Sequence, residues 1–217
     1  FILKNNIKKI VLPKNWKQVH INNLSFSYHD NSQELHLNNI SFNFKKGEKI
    51  ALIGASGSGK TTFLKLIRAL YKPKHADVFV DKIKVEKLES ISNDMTLIPQ
   101  EPEIFATTIR ENITMGIQHN LIYLKKFANM AQFLNVVYRL PKKWESSVVE
   151  KGVNLSGGEK QRLALTRGLM ASDDKDIVLM DEPTSSVDTY NELHIYEKIF
   201  KNFKNKTIIS TVHRLHL

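Results

Sequence analysis

The stretch GASGSGKTT, residues 54–62, has the residue types and spacing of a phosphate-binding loop. It satisfies the pattern G-x-x-x-x-G-K-[ST], with an apolar run before it and helical periodicity after it, as the pattern requires. Small residues here let backbone N–H groups approach phosphate oxygens closely. The candidate phosphate ligands are Gly54, Ala55, Ser56, Gly57, Ser58, Gly59, Lys60, Thr61 and Thr62. We predict that Lys60 reaches the β- and γ-phosphates of a nucleotide and that the Thr61 hydroxyl binds Mg²⁺.

A pair of carboxylates follows the apolar run IVLMDE, residues 177–182. Asp181 stands at the end of this predicted strand, where it can hold Mg²⁺ directly or through water. Glu182 is the next residue, and a second carboxylate there suits a general base that orients water for attack on the γ-phosphate. Together with the loop at 54–62, these residues predict a magnesium-dependent nucleoside triphosphatase.

The stretch NLSGGEKQR, residues 154–162, offers a second place for an anion. Ser156 can act as the N-cap of a helix, and Gly157 and Gly158 leave N–H groups unobstructed at a positive helix end. Glu159 completes an S-x-x-E capping box with Ser156. One chain therefore carries two candidate phosphate sites.

Hydrophobic periodicity indicates the elements that position these residues. Strand-like patterns occur at 19–28, 35–44, 49–54, 76–81, 95–99, 176–181 and 206–211, and helical patterns occur from 59 to Pro73, over 107–140, after Ser156 and over 189–203. Strands that alternate with helices favour a mainly parallel α/β core, with antiparallel strands near the N-terminus.

In order and spacing, the motifs resemble those of ATP-binding cassette (ABC) ATPases. Residues 155–161, LSGGEKQ, resemble the family's signature sequence, although the family more often has glutamine where Glu159 stands. The resemblance implies that Tyr28 stacks on adenine and that Gln100 is the Q-loop glutamine, which senses Mg²⁺ and the γ-phosphate. It also implies that Asp188 communicates across a dimer interface and that His213 is the switch histidine.

Two further stretches resemble exporter-type cassettes. They are QEPEIFATTIRENI at 100–113 and VVEKGVNLSGGEKQR at 148–162, with Glu150 and Gly152 at the family's positions. This subtype implies that the helical lobe meets transmembrane domains. It also implies that residues 1–18 are a linker from a membrane domain encoded upstream.

The resemblance predicts an α/β fold with a P-loop NTPase (RecA-like) core, an N-terminal antiparallel β subdomain and an inserted α-helical subdomain. The ATPase domain would span 19–217. Its core and β subdomain would occupy 19–100 and 155–217, and the helical subdomain about 101–154, running into the signature helix.

The resemblance also implies that the chain works as a pair. ATP on residues 54–62 of one subunit would be covered by Ser156–Gly158 of the other, with Glu159 near the partner's γ-phosphate. The expected cofactors are ATP and Mg²⁺. The expected partners are a second nucleotide-binding domain and transmembrane domains at the cytoplasmic face of a membrane.

The composition limits the class of protein and the kinds of site that the chain can contain. The 217 residues are 41% hydrophobic and 25% charged, as in an ordinary globular protein. No apolar run approaches the roughly 20 residues of a membrane span. The chain has no cysteine, which excludes disulfides and thiolate metal sites. Because it starts at Phe1 and stops soon after His213, we expect a fragment of a longer protein.

Two alternatives remain open on the sequence alone. The net charge of +10 suits a soluble ABC ATPase that acts on nucleic acid or ribosomes. We nevertheless expect no specific nucleic-acid partner, because the two nucleotide motifs are separated by about 100 residues without sustained heptads. The second alternative is a non-catalytic regulatory cassette, which the presence of Lys60, Asp181, Glu182 and His213 disfavours.

Overall fold

Two four-stranded sheets form the framework in the computed structural model, which describes residues 12–29, 35–101, 103–148 and 154–212. The first sheet is antiparallel, with the order β2-β1-β4-β5. Its strands are β1 (Gln18–Phe26), β2 (Leu37–Lys45), β4 (His75–Val80) and β5 (Ile83–Val85). In the middle of this sheet Ile21 lies opposite Phe42 on one side and Val78 on the other.

The second sheet is parallel, with the order β3-β8-β7-β6. Its strands are β3 (Lys49–Leu52), β6 (Met95–Ile98), β7 (Ile177–Asp181) and β8 (Thr207–Thr211). Every residue of β7 and β8 is buried, as expected for inner strands covered on both faces. The predicted fold class, a parallel core with an N-terminal antiparallel sheet, is confirmed.

Seven α-helices occur among the described residues. They are α1 (Lys60–Ile67), α2 (Glu89–Ser92), α3 (Ile109–Thr114), α4 (Leu121–Met130), α5 (Leu134–Arg139), α6 (Gly157–Ala171) and α7 (Thr189–Asn202). Helices α3, α4 and α5 lie between β6 and β7 in the chain, within the predicted helical insertion. Within the described ranges, no helix combines the length and the apolar composition that a membrane span requires.

Two helix ends differ from the sequence prediction for one reason. Helix α1 stops at Ile67 rather than continuing to Pro73, and the segment predicted as helical up to Leu140 breaks between α4 and α5. Just after each helix end, one residue adopts the left-handed conformation. It is Ala69 (φ +59°) after α1 and Gln132 (φ +53°) after α4. The following N–H groups bond back in the Schellman pattern, for example Leu70 N–H to the Lys65 carbonyl at 2.9 Å. Because neither residue is glycine, the sequence gives no sign of these stops.

Buried side chains form two clusters. One lies between the two sheets and around α1, and the other lies between the parallel sheet and helices α3 to α7. The described part of the predicted linker joins the first cluster, because Leu12 and Trp16 are buried there. The Trp16 Nε1–H also donates to Asp176 Oδ2 at 2.8 Å. Residues 12–17 are therefore packed against the domain.

Candidate functional site

The carboxyl edge of the parallel sheet gathers most of the predicted site. The 54–62 loop follows β3, Thr211 ends β8, Asp181 ends β7, and Gln100 follows β6 by two residues. Because all four strands run in the same direction, these positions meet at one edge. Ligands of open α/β sheets bind in the crevice at this edge.

The glycines of the 54–62 loop meet specific steric demands. Gly57 and Gly59 adopt φ values of +78° and +89°, which other residues rarely adopt. A Cβ at Gly59 would also lie 2.7 Å from Leu37 Cδ2, and one at Gly54 would lie 2.9 Å from Ser58 Oγ. The loop therefore adopts a tight backbone conformation that glycine at these positions permits.

The Lys60 amine is hydrogen-bonded to the backbone of this loop. Its Nζ donates to the carbonyls of Gly54 at 2.8 Å and Ala55 at 3.0 Å. The loop borders an open groove of about 600 Å³, lined in part by Gly54, Ser58, Gly59 and Lys60. A cation, small residues and the start of α1 around such a groove suit an anionic phosphate chain.

Tyr28 lies beside this loop. Its hydroxyl shares a hydrogen bond of 2.9 Å with Thr62 Oγ1 in α1, and the side chain is partly exposed. Its ring also makes edge contacts with His36 and Tyr71 at centroid distances of 4.8 and 5.4 Å. An exposed aromatic ring next to the phosphate loop is compatible with stacking on a base.

Asp181 and Glu182 are held by Thr211, a residue that the motif analysis missed. The Thr211 hydroxyl donates to Asp181 Oδ1 at 2.8 Å and accepts from the Glu182 N–H at 2.8 Å. Both carboxyl residues are buried, at 3% and 8% exposure. No sequence signal identified Thr211, because it lies 29 residues from Glu182 along the chain.

Glu182 is also held by Gln100, a contact that the sequence did not predict. Gln100 Nε2 donates to Glu182 Oε2 at 2.7 Å. The Glu182 backbone has φ +45°, in the left-handed region that non-glycine residues seldom occupy. Strained backbone of this kind tends to occur at functional sites.

The predicted magnesium ligands supply only oxygen atoms, namely the Thr61 hydroxyl, the Gln100 amide oxygen and the Asp181 carboxylate. The described residues contain no group of three or more His, Cys, Asp or Glu side chains that could hold a metal by themselves. Magnesium is commonly bound by one or two carboxylates together with substrate phosphates. The donor set therefore fits a Mg²⁺ ion that arrives with a nucleotide.

The second candidate phosphate site lies at the start of α6, where the sequence predicts a helix. Ser156 is the N-cap, and the capping box with Glu159 is confirmed: Ser156 N–H donates to Glu159 Oε2 at 2.9 Å and Glu159 N–H to Ser156 Oγ at 3.3 Å. A Cβ at Gly157 would meet nothing within 4 Å, so this position faces open space. At Gly158 a Cβ would lie 2.7 Å from the Ser186 carbonyl oxygen.

Glu159 has a further partner that sequence reasoning did not find. Arg139, at the end of α5, donates from Nη2 to Glu159 Oε1 at 2.5 Å. Burial alone would raise the pKa of Glu159. The hydrogen bonds from the Ser156 N–H and from Arg139 outweigh burial, so that the pKa is lowered. Glu159 thus stays ionised and bound within its own subunit.

The remaining predicted residues fall in two groups. Asp188 is the N-cap of α7, where Oδ1 accepts from the Asn191 N–H at 3.0 Å. Hydrogen bonds from Asn191 lower the pKa of Asp188. His213, and the exporter-like Glu150 and Gly152, lie outside the described residues.

The two candidate phosphate sites are separate in the part of the chain that the structure describes. Across the described ranges, no hydrogen bond or ion pair connects Ser156–Gly158 with the 54–62 loop. The signature residues instead contact the turn after β7, through Gly158 and through Gln161 on the same helix.

Comparison with known proteins decides the family. Residues 37–185 match the protein family described as ABC transporter, which is more than half of the chain. The chain belongs to the ABC transporter family. As a member, it is an ATP-binding domain with ATPase activity of the kind that the family couples to transport.

Full-length relatives carry the same domain. The chain is 36% identical over 203 residues to ABC transporter B family member 2 of Dictyostelium discoideum, covering 91% of this chain and 14% of that protein. It is 36% identical over 214 residues to the chloroplastic ABC transporter B family member 29 of Arabidopsis thaliana, covering 95% and 33%. It therefore spans a third or less of these relatives.

A solved ABC exporter has the same fold. The structure of a bacterial Atm1-family ABC exporter with ATP bound superposes with a TM-score of 0.82 at 31% identity, covering 94% of this chain and 36% of that one. The resemblance to exporter-type ABC nucleotide-binding domains is thereby confirmed, and these relatives do not favour the soluble ABC ATPase alternative.

Proposed function

We propose that this ABC domain powers an exporter by closing on ATP as a dimer and reopening after hydrolysis. The observation that carries the proposal is the separation of the two phosphate sites. The 54–62 loop, Asp181, Glu182 and Gln100 share one sheet edge, whereas Ser156–Gly158 begin α6 and, within the described ranges, make no hydrogen bond or ion pair with that loop. A second subunit would supply the missing half of each.

In this mechanism ATP and Mg²⁺ supply the triphosphate and its charge neutralisation. Lys60 and the N–H groups of the loop bind the β- and γ-phosphates, and Tyr28 stacks on the adenine. The side chains of Thr61, Asp181 and Gln100 provide oxygen ligands for the metal. The Glu182 carboxylate accepts a proton from the attacking water.

The signature residues close the site of the other subunit. The N–H groups of Gly157 and Gly158, at the positive end of α6, donate to the γ-phosphate bound by the partner. Charge-assisted hydrogen bonds of this kind hold the two subunits together. Loss of the γ-phosphate removes these bonds, and the dimer opens. Asp188 and His213 complete the proposed interface and switch.

The proposed partners follow from this scheme. They are a second nucleotide-binding domain and the transmembrane domains of an exporter, which would place this domain at the cytoplasmic face of a membrane. Support comes from the B family transporters and the exporter structure, of which the chain covers only the ATP-binding part. The domain limits at 19–100, 101–154 and 155–217 remain predictions.

A complementation experiment tests the shared site. Lys60→Ala removes the phosphate-binding amine. Gly157→Asp fits the open space at that position and places a carboxylate where the partner's phosphate would lie. Each variant alone should have no ATPase activity. A mixture should regain activity, because about half of the dimers would be mixed and each would have one intact site.

Thermal stability provides the control for this experiment. Because aspartate in the first turn suits a helix, Gly157→Asp should melt at the wild-type temperature. A Gly157→Asp variant that hydrolyses ATP normally, or a mixture no more active than its components, would refute the composite site.

A further inference from the structure

Gln161 connects the signature helix to the turn that follows β7. The residue is only 4% exposed, and the hydrogen bonds of its side chain run to this turn. Nε2 donates to the Glu182 carbonyl at 3.2 Å and to Ser185 Oγ at 2.9 Å, and Oε1 accepts from the Ser186 N–H at 2.8 Å. A primary amide has two N–H donors and a carbonyl acceptor, so that both ends of the group are used.

The Glu182 backbone needs such support. A non-glycine residue in the left-handed region costs about 1–3 kcal/mol unless its surroundings enforce it. Here the N–H of Glu182 is bound by Thr211 and its carbonyl by Gln161, on either side of the Cα atom. Together with the Ser185 N–H, which also donates to the Glu182 carbonyl at 3.2 Å, these two bonds hold the backbone from which the Glu182 side chain leaves.

The same helix carries the second phosphate site. Ser156 is its N-cap, and Gln161 lies five residues later in an unbroken helix. Gly158 also lies against the Ser186 carbonyl, so the helix and the turn touch at two levels. The helix that begins at Ser156 is therefore in direct contact with the backbone of Glu182.

We propose that Gln161 is a positioning residue, which ties the orientation of Glu182 to the seating of the signature helix. Binding of Ser156–Gly158 to the partner's nucleotide would thus place the general base of this subunit's own site. The inference rests on the proposed function, in which Glu182 is that base.

The test replaces Gln161 by methionine, which has a similar volume but cannot make the three hydrogen bonds. We expect kcat for ATP to fall by about 10- to 100-fold, the cost of a misplaced catalytic group. The KM for ATP should change by no more than about twofold, because the binding loop is untouched. The matched control is Thr166→Val. Thr166 is fully buried on the same helix, but it bonds only to the Arg162 carbonyl, so wild-type kcat is expected.

A double-mutant cycle separates positioning from general damage. Combined with Glu182→Gln, the Gln161→Met change should cause little further loss of the residual rate, because the group it positions is already gone. A full additional loss would overturn the proposal, and so would wild-type kcat in the single variant. If Gln161→Met lacks cooperative melting, Gln161→Asn decides by the same criteria, since its shorter amide cannot span the three partners.

Failure of the proposed function gives a different result. A wild-type chain without ATPase activity would contradict the proposed function itself. An active wild type with an equally active Gln161→Met variant would contradict only the role of Gln161.

Discussion

At the scale of single residues, Glu159 shows how local chemistry can tolerate an unusual side chain in a functional motif. The family more often has glutamine here, and a carboxylate near a partner's phosphate should be repelled. The structure turns Glu159 toward its own subunit, where Ser156 and Arg139 bind both carboxylate oxygens. The charge is thus neutralised before any nucleotide arrives.

The Glu159→Gln variant should therefore remain an active ATPase with modestly altered ATP-driven dimerisation. Gln can keep the capping box, but it loses the ion pair and the charge at the helix N-terminus, which together contribute about 0.5–1 kcal/mol. Thermal melting with and without ATP measures this loss. Abolished ATPase activity would show that the carboxylate has a direct role in the reaction.

The stability difference should depend on pH in a definite direction. The folded-state pKa of Glu159 is lowered, so that its stabilisation is complete above the ordinary pKa and disappears as the pH falls through the lower folded value. Wild type and Glu159→Gln should therefore melt increasingly alike below about pH 4. Glu86→Gln, at an exposed carboxylate just after β5, serves as the control for the loss of a surface carboxylate.

Motifs and long-range contacts differ in how far the sequence reveals them. Residues 54–62, Asp181, Glu182 and the Ser156–Glu159 capping box are recognisable because their chemistry lies within a few consecutive positions. Thr211 and Gln161 contact Glu182 from 29 and 21 residues away, and only the fold brings them there. Nothing in the local sequence marks Thr211 as functional. Gln161 closes the signature-like stretch 155–161, but that stretch gives no sign of its contact with Glu182.

At the scale of secondary-structure elements, the long strands and helices follow their hydrophobic periods. Helix α7 was predicted over 189–203 and spans Thr189–Asn202. The short β5 and α2 were missed, since three and four residues are too few to show a period. The ends of α1 and α4 were missed because Ala69 and Gln132 occupy left-handed positions where glycine usually stands. Without a glycine, the sequence does not indicate that the helix ends there.

The Ala69→Gly variant should stabilise the domain. Left-handed backbone costs a non-glycine residue about 1–2 kcal/mol, whereas the partly buried methyl group of Ala69 contributes at most about 0.8 kcal/mol. We expect a net gain of about 0.5–1 kcal/mol in the free energy of unfolding, measured by denaturant titration.

A glycine elsewhere in α1 gives the matched control. Lys65→Gly, inside the helix, should destabilise the domain by about 1 kcal/mol. If Ala69→Gly were equally destabilising, the left-handed end of α1 would be contradicted.

At the scale of the whole molecule, the proposed dimer needs two halves of a nucleotide site from one chain, each completed by the other subunit. The parallel sheet presents the phosphate loop, Asp181 and Glu182 at one edge. Helix α6 presents Ser156–Gly158 separately, and Gln161 links it back to Glu182. A symmetric dimer satisfies both halves at once, since each subunit gives and receives the same contact.

The mass of the Glu182→Gln variant in solution with ATP and Mg²⁺ tests most directly whether two subunits share the nucleotide site. Because hydrolysis stalls, we predict a stable dimer by light scattering with ATP and a monomer without it. Adding Gly157→Asp should keep the chain monomeric with ATP, although its own phosphate loop still binds the nucleotide. A monomer in the presence of ATP, or a dimer that persists despite Gly157→Asp, would contradict the shared site.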